Sequence, residues 1–126
     1  MKSLKLHMPK VFGSLLIGAL TVLSMSAFGQ DSKTLKGEVL DMSCYMGHGA
    51  KGKGHKMCAQ GCLDKGLPAG LLTSDGQVYL LVEDHDKADA YEEAIKHAAD
   101  NIQVTGKAVN KNGVQALVVE SVKTSS

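Results

Sequence analysis

The chain has no arginine and no tryptophan, and only three cysteines, among its 126 residues. The missing arginine argues against nucleic acid as a partner. Binding a phosphate backbone needs a basic surface, and gripping single strands needs aromatic platforms. Here the net charge is only +1, and beyond residue 29 the sole aromatics are Tyr45, Tyr79 and Tyr91. Three cysteines are too few for a disulfide-dense mini-scaffold. The length allows one small domain with one modest core. Catalytic signatures are also missing. There is no C-x-x-C-H haem attachment and no C-x-x-C redox pair. Gly47-His48-Gly49 does not follow a Rossmann pattern, and no Ser, His and Asp arrangement stands out. An enzyme is therefore not expected.

No apolar run is long enough to span a bilayer. The run from Val11 to Leu23 has 13 residues, whereas a transmembrane helix takes about 20. Lys2, Lys5 and Lys10 precede it, and Ala27 and Gly29 stand at −3 and −1 of a potential cleavage point. This is the layout of a secretory signal peptide over residues 1–29. Cleavage there leaves a domain of residues 30–126 with no membrane segment, and implies a periplasmic or secreted location where thiols can oxidise.

Thr34 to Met42 reads as a strand, with Gly37 marking a close backbone approach or a bulge. Ser43 to His55 carries Gly47, Gly49, Gly52 and Gly54 and reads as a loop. Lys56 to Lys65 reads as a short helix stopped by Gly66 and Pro68. Gly61 weakens that helix by about 1 kcal/mol, so something besides propensity must hold it. Gly70 to Thr73 and Gln77 to Val82 flank Asp75-Gly76 as a hairpin. Asp86 to Ala99 reads as the clearest helix, with Ala88, Tyr91, Ile95 and Ala98 on one face. Asn101 to Asn110 and Val114 to Lys123 form a second hairpin about Asn112-Gly113. Five short strands, one helix between the third and fourth, and a loop-helix insertion at about 43–66 predict a mainly β domain, an OB-like five-stranded barrel. The alternative is an open antiparallel sheet with the long helix across one face.

The chemistry concentrates in the insertion. Met42, Cys44, Met46, His48, His55, Met57, Cys58 and Cys62 place every cysteine, and every methionine beyond the leader, in 21 residues. Soft sulfur and imidazole donors gathered this closely are a transition-metal signature. His55, Cys58 and Cys62 stand at i, i+3 and i+7, within about 60° of one another on a helix. Cys44, at the end of the first strand, can reach that stripe. The pattern C-x10-H-x2-C-x3-C supplies a Cys3His set suited to tetrahedral Zn(II). Thiolates with nearby thioethers also suit Cu(I). Met46 and His48 are outer candidates, while Met42 and Met57 are more naturally core fillers. A thiolate near the helix N-terminus is expected to have a lowered pKa. Lys51, Lys53 and Lys56 oppose a cation, unless the thiolates supply the negative charge. His85 reads as a residue leading into a helix, and His97, four after Glu93, as a helix-face pair.

The same residues admit a second reading. In an oxidising compartment Cys44 can pair with Cys58 or Cys62, stapling the short helix to the first strand and stabilising it by about 2–4 kcal/mol. A Cys58–Cys62 bridge fits disulfide geometry poorly. That reading makes the chain a metal-free binding module for another envelope protein. A third, a thiol oxidoreductase, requires a low-pKa cysteine.

Through Gly37-Glu38-Val39-Leu40-Asp41, Cys44-Tyr45, His55, Cys58-Ala59, Cys62, Gly66, Pro68, Asp75-Gly76 and Val78-Tyr79-Leu80, the chain resembles a loose group of small exported bacterial proteins. These are OB-type domains with a Cys…His…Cys…Cys insertion, mostly of unassigned function. In Met and His usage it is also similar to periplasmic copper chaperones built on OB barrels, though it uses cysteine and lacks their tryptophan. The resemblance implies a secreted single domain with a metal or disulfide centre. The expected function is metal binding, with Cu(I) or Zn(II) on Cys44, His55, Cys58 and Cys62, as a buffer, a delivery protein or a structural site.

Overall fold

The computed structural model describes residues 31–124; the expected signal peptide lies outside them. Among them the elements run β1 (Ser32–Asp41), α1 (Met42–His48), a 3-10 turn (Lys53–His55), α2 (Lys56–Asp64), β2 (Ala69–Thr73), β3 (Val78–Glu83), α3 (Ala88–Ile95), β4 (Asn101–Lys111) and β5 (Val114–Thr124). The chain is mainly β, and its five-stranded sheet closes on itself in the order β1-β2-β3-β5-β4 instead of staying open.

Closure depends on β1. Its first half pairs antiparallel with β4 and its second half with β2, and Gly37 and Glu38 pair with both. Two strands can share these residues only if the backbones come close. A Cβ on Gly37 would overlap the Leu72 carbonyl, so this glycine marks the close approach its position suggested. Gly106 serves the same purpose across the ring. It sits at a register shift in the β4–β5 ladder, and a Cβ there would run into the Val118 carbonyl. The β4–β5 hairpin turns on Asn112 and Gly113, both at positive φ (53° and 87°), as a two-residue type I′ turn requires. β3 and β5 are parallel, so the chain between them crosses over through α3 and β4.

Alternate residues fill the ring: Val39, Leu71, Leu81, Ile102, Val104, Leu117 and Val119 are all buried, with Ala94 and Ala98 beside them. The helix expected over Asp86 to Ala99 is shorter. It ends at Ile95, and Ala99 turns the chain at φ 62°. The reason lies in β1: the Ala99 N–H donates to the Val39 carbonyl (2.8 Å) and the Val39 N–H to the Asp100 carbonyl (3.0 Å). Another helical turn would forfeit both bonds.

The loop expected over Ser43 to His55 is corrected at its start, where Met42 to His48 form α1. Asp41 caps this helix, accepting from the Ser43 N–H (3.0 Å) and the Cys44 N–H (3.4 Å). Gly49 ends it in the left-handed region. A good N-cap and a C-terminal glycine outweigh the low helix propensity of Gly47. β1 accordingly stops at Asp41, one residue earlier than expected.

α2 is held as its glycine demanded. Ala59 and Leu63, one turn apart, are buried in the core cluster, and burying a leucine contributes about 2 kcal/mol. Gln60 donates to the Ile95 carbonyl (2.9 Å) and accepts from the Ala98 N–H (3.2 Å). Lys56 reaches both carboxylate oxygens of Asp100 at 2.7 Å. The end is a Schellman cap: the Leu67 N–H bonds the Cys62 carbonyl (3.1 Å) and the Gly66 N–H the Leu63 carbonyl (2.9 Å). Two glycine-to-alanine changes should therefore act in opposite directions. Gly61 faces open space, so Gly61→Ala should raise stability by about 0.5–1 kcal/mol. Gly106→Ala should lower it by about 2 kcal/mol through overpacking. Urea midpoints measure both, and a neutral Gly106→Ala would contradict this packing.

Candidate metal centre

The donors meet where β1 hands over to α1. Cys44 stands in the first turn of α1, held by the hydrogen bond from its N–H to Asp41. Cys58 and Cys62 are one turn apart on α2, and His55 is the residue just before that helix. Thus α2 presents two faces: Ala59 and Leu63 enter the core, while the neighbouring Cys58 and Cys62 lie toward α1. Glu38 accepts from the Gly52 N–H, tying the glycine-rich link back to β1.

These side chains form two overlapping groups. In one, single ligand atoms of Cys44, His55 and Cys58 all lie within 4.8 Å of one another. In the other, those of Asp41, Cys44 and Cys62 do. Cys44 belongs to both. All four residues expected as ligands are thus present, but as two groups sharing a sulfur, not as one tetrahedral cluster. All three cysteines are free thiols, Cys58 exposed and Cys44 and Cys62 half-buried. His55 Nε2 is shut off from solvent and has no hydrogen-bond partner. Leaving such a nitrogen unpaired costs about 1–3 kcal/mol. The crevice lined by Glu38, Asp41, His55 and Ala59 has no room for a water molecule.

Asp41 was missed as a site residue in the sequence. It is 2 % exposed and faces the Cys44 and Cys62 thiols. Burial by itself raises its pKa, but hydrogen bonds from those thiols and from the Ser43 and Cys44 amides outweigh burial and hold it below the usual carboxylate value. The thiols respond in the opposite sense. Hydrogen bonding to the Asp41 carboxylate, then desolvation and its negative charge, push Cys44 up to about 12. The same causes raise Cys62. The lowered pKa expected of a thiol at a helix N-terminus is thus reversed at Cys44, because a carboxylate in contact outweighs the partial charge of one helix end. A signal for Asp41 did exist: an N-cap residue eight positions ahead of Gly49 brackets a helix.

The outer candidates do not join the groups. His48, at the end of α1, is exposed. Met46 and Met57 are 73 % and 90 % exposed, so Met57 is not a core filler. Met42 is half-buried over Gly70, outside the core cluster. His85 projects into solvent 3.9 Å from Glu83. His97 bonds Glu93 at 3.0 Å, in the pairing expected, though it lies just past the end of α3. Of the three lysines near the loop, Lys56 is occupied by Asp100.

No family model matches the chain, and no curated protein and no solved structure is detectably similar to it. Among the described residues no helix is long and apolar enough to cross a membrane.

Replacing Asp41 tests the electrostatics directly. Asp41→Asn keeps a competent N-cap but removes the charge, so the Cys44 pKa should fall from about 12 toward the ordinary thiol value near 8.5. Alkylation of Cys44 at mildly alkaline pH, followed by peptide mass analysis, should then be faster than in wild type. An unchanged rate would show that Asp41 does not govern this thiol.

Proposed function

We propose that this chain is an exported metal-binding protein, a periplasmic or secreted single domain that carries a soft or borderline ion, Cu(I) or Zn(II), on the Cys44, His55, Cys58 and Cys62 donors. The observation that carries the reading is His55 Nε2, buried and unpartnered on a residue whose ligand atom lies within 4.8 Å of two cysteine sulfurs. An imidazole with one buried, unpartnered nitrogen, set beside two thiols, suits a thiophilic cation. The OB-like reading is supported by the helix between the third and fourth strands and by the parallel β3–β5 pair in a closed sheet. Export is supported by the basic, apolar and small-residue order of residues 1–29.

Among the metal functions, exchange is favoured over a purely structural role. A structural zinc site unfolds when its metal leaves. Here the insertion is held by contacts that involve no candidate ligand side chain: Ala59 and Leu63 in the core, Gln60 on the turn after α3, the Lys56–Asp100 pair and the Schellman cap. Cys58 is exposed and flanked by the exposed Met57, so an acceptor can reach the ion. This is the arrangement of a buffer or delivery protein. Because Cys44 and Cys62 hold their protons at neutral pH, metal uptake must displace them, and affinity should rise with pH.

The test combines metal analysis, a thiol count and chelation on protein isolated without chelator. Bound Cu or Zn with reduced thiols is expected. Cys44→Ser and Cys58→Ser should each lose most of the metal, and a strong chelator should strip wild type with its circular dichroism unchanged. Unfolding on chelation would favour the structural role. A single free thiol and no metal would replace this function with the disulfide-stapled binding module, since Cys44 lies within reach of either partner.

A further inference from the structure

We propose that the insertion binds two divalent ions, with the Cys44 thiolate bridging them. The first ion takes Cys44, His55 and Cys58; the second takes Cys44, Cys62 and Asp41. The inference rests on the metal-binding reading above and adds to it a second ion, a bridging sulfur and an oxygen ligand.

Three observations lead to it. The donors divide into two groups of three that share one sulfur. The four Cys and His donors do not form one such group: Cys62 stands outside the set of Cys44, His55 and Cys58 and groups instead with Cys44 and Asp41. Two ions match the grouping as it stands, because each triad lies within 4.8 Å, and a thiolate sulfur has lone pairs enough for both.

The second observation is charge. With thiols deprotonated, Cys44, Cys58, Cys62 and Asp41 carry four negative charges and neutral His55 none. The first divalent ion is matched by the Cys44 and Cys58 thiolates, and a second by the Cys62 thiolate and the Asp41 carboxylate. Two divalent ions bring the cluster to neutrality. Two Cu(I) ions do not, so the charge count selects Zn(II) or a similar divalent ion.

The third is Asp41 itself. A carboxylate 2 % exposed is in contact with two of the three thiols. In the metal-free protein those thiols carry protons and their sulfurs lie within 4.8 Å of a carboxylate oxygen. When they lose their protons to a metal, their sulfurs turn from donors into anions facing another anion. A cation between them replaces two proton-mediated contacts with metal–ligand bonds. Without it, loading the first ion would set the Cys44 thiolate against Asp41. Three protein donors per ion leave a fourth tetrahedral position open on each, as in zinc sites that exchange ligands.

The experiment is a titration of the reduced protein with Zn(II), read by native mass spectrometry, and with Co(II), read by electron paramagnetic resonance. Wild type should take two equivalents. The Co(II) signal should grow through the first equivalent and fall through the second, as spins couple across the shared sulfur. Asp41→Asn, which retains an N-cap, and Cys62→Ser should each stop at one equivalent and keep an uncoupled signal. One equivalent in wild type and in both variants would overturn the proposal while leaving the metal-binding function in place. Two equivalents without coupling would also overturn it, because the ions would then not share Cys44. No binding of either metal would overturn the proposal and leave the metal-binding function to Cu(I) alone.

Discussion

A carboxylate taken out of water must have its charge met by donors, or the fold loses several kcal/mol. Asp41 has that problem at the junction where the strand shared by two ladders gives way to the first helix of the insertion. Its solution organises the region. The amides of Ser43 and Cys44 point at its oxygens, which starts α1 and fixes the direction in which Cys44 leaves the sheet. The Cys44 and Cys62 sulfurs lie within 4.8 Å of one of its oxygens, beside α2. One residue thus ends a strand, caps a helix and gathers two of the three sulfurs.

The sheet makes this junction rigid. β1 pairs with β2 through Asp41 itself, opposite Ala69, and the Met42 N–H is bound by the Pro68 carbonyl at 2.9 Å. The segment after α3 then bonds to Val39, and Gln60 reaches that segment from α2. The insertion is therefore fastened at both ends to the same strand and the same turn. A donor set mounted in this way is preorganised without a metal, which is the requirement for an ion that arrives and leaves while the domain stays folded.

Much of this was legible in the sequence, because it rests on local chemistry. Asp75-Gly76 and Asn112-Gly113 marked both hairpins, since few residues adopt positive φ. Alternation along Asn101–Asn110 showed the strand, and Gly66 with Pro68 showed the end of α2. The closeness of Cys44, His55 and Cys58 was legible too, because helical spacing places the last two on one stripe and the glycines give Cys44 reach. What escaped depended on tertiary partners. α1 looked like a loop because its glycines hid a helix whose stability comes from its caps. α3 looked longer because its end is set by two bonds to Val39. Asp41 looked like an ordinary strand residue, since nothing local shows that two thiols distant in sequence will face it. The thiol pKa values followed that omission in the wrong direction.

The central claim is that two neighbouring helices, the first capped by a carboxylate, present sulfur and imidazole to a metal. X-ray absorption at the zinc edge of the loaded protein tests it most directly. The account predicts a dominant sulfur shell at about 2.3 Å with a nitrogen or oxygen shell at about 2.0–2.2 Å, and loss of most of the sulfur shell in Cys44→Ser, because both donor groups depend on that atom. A spectrum of nitrogen and oxygen alone, unchanged by Cys44→Ser, would place the metal elsewhere and contradict the account.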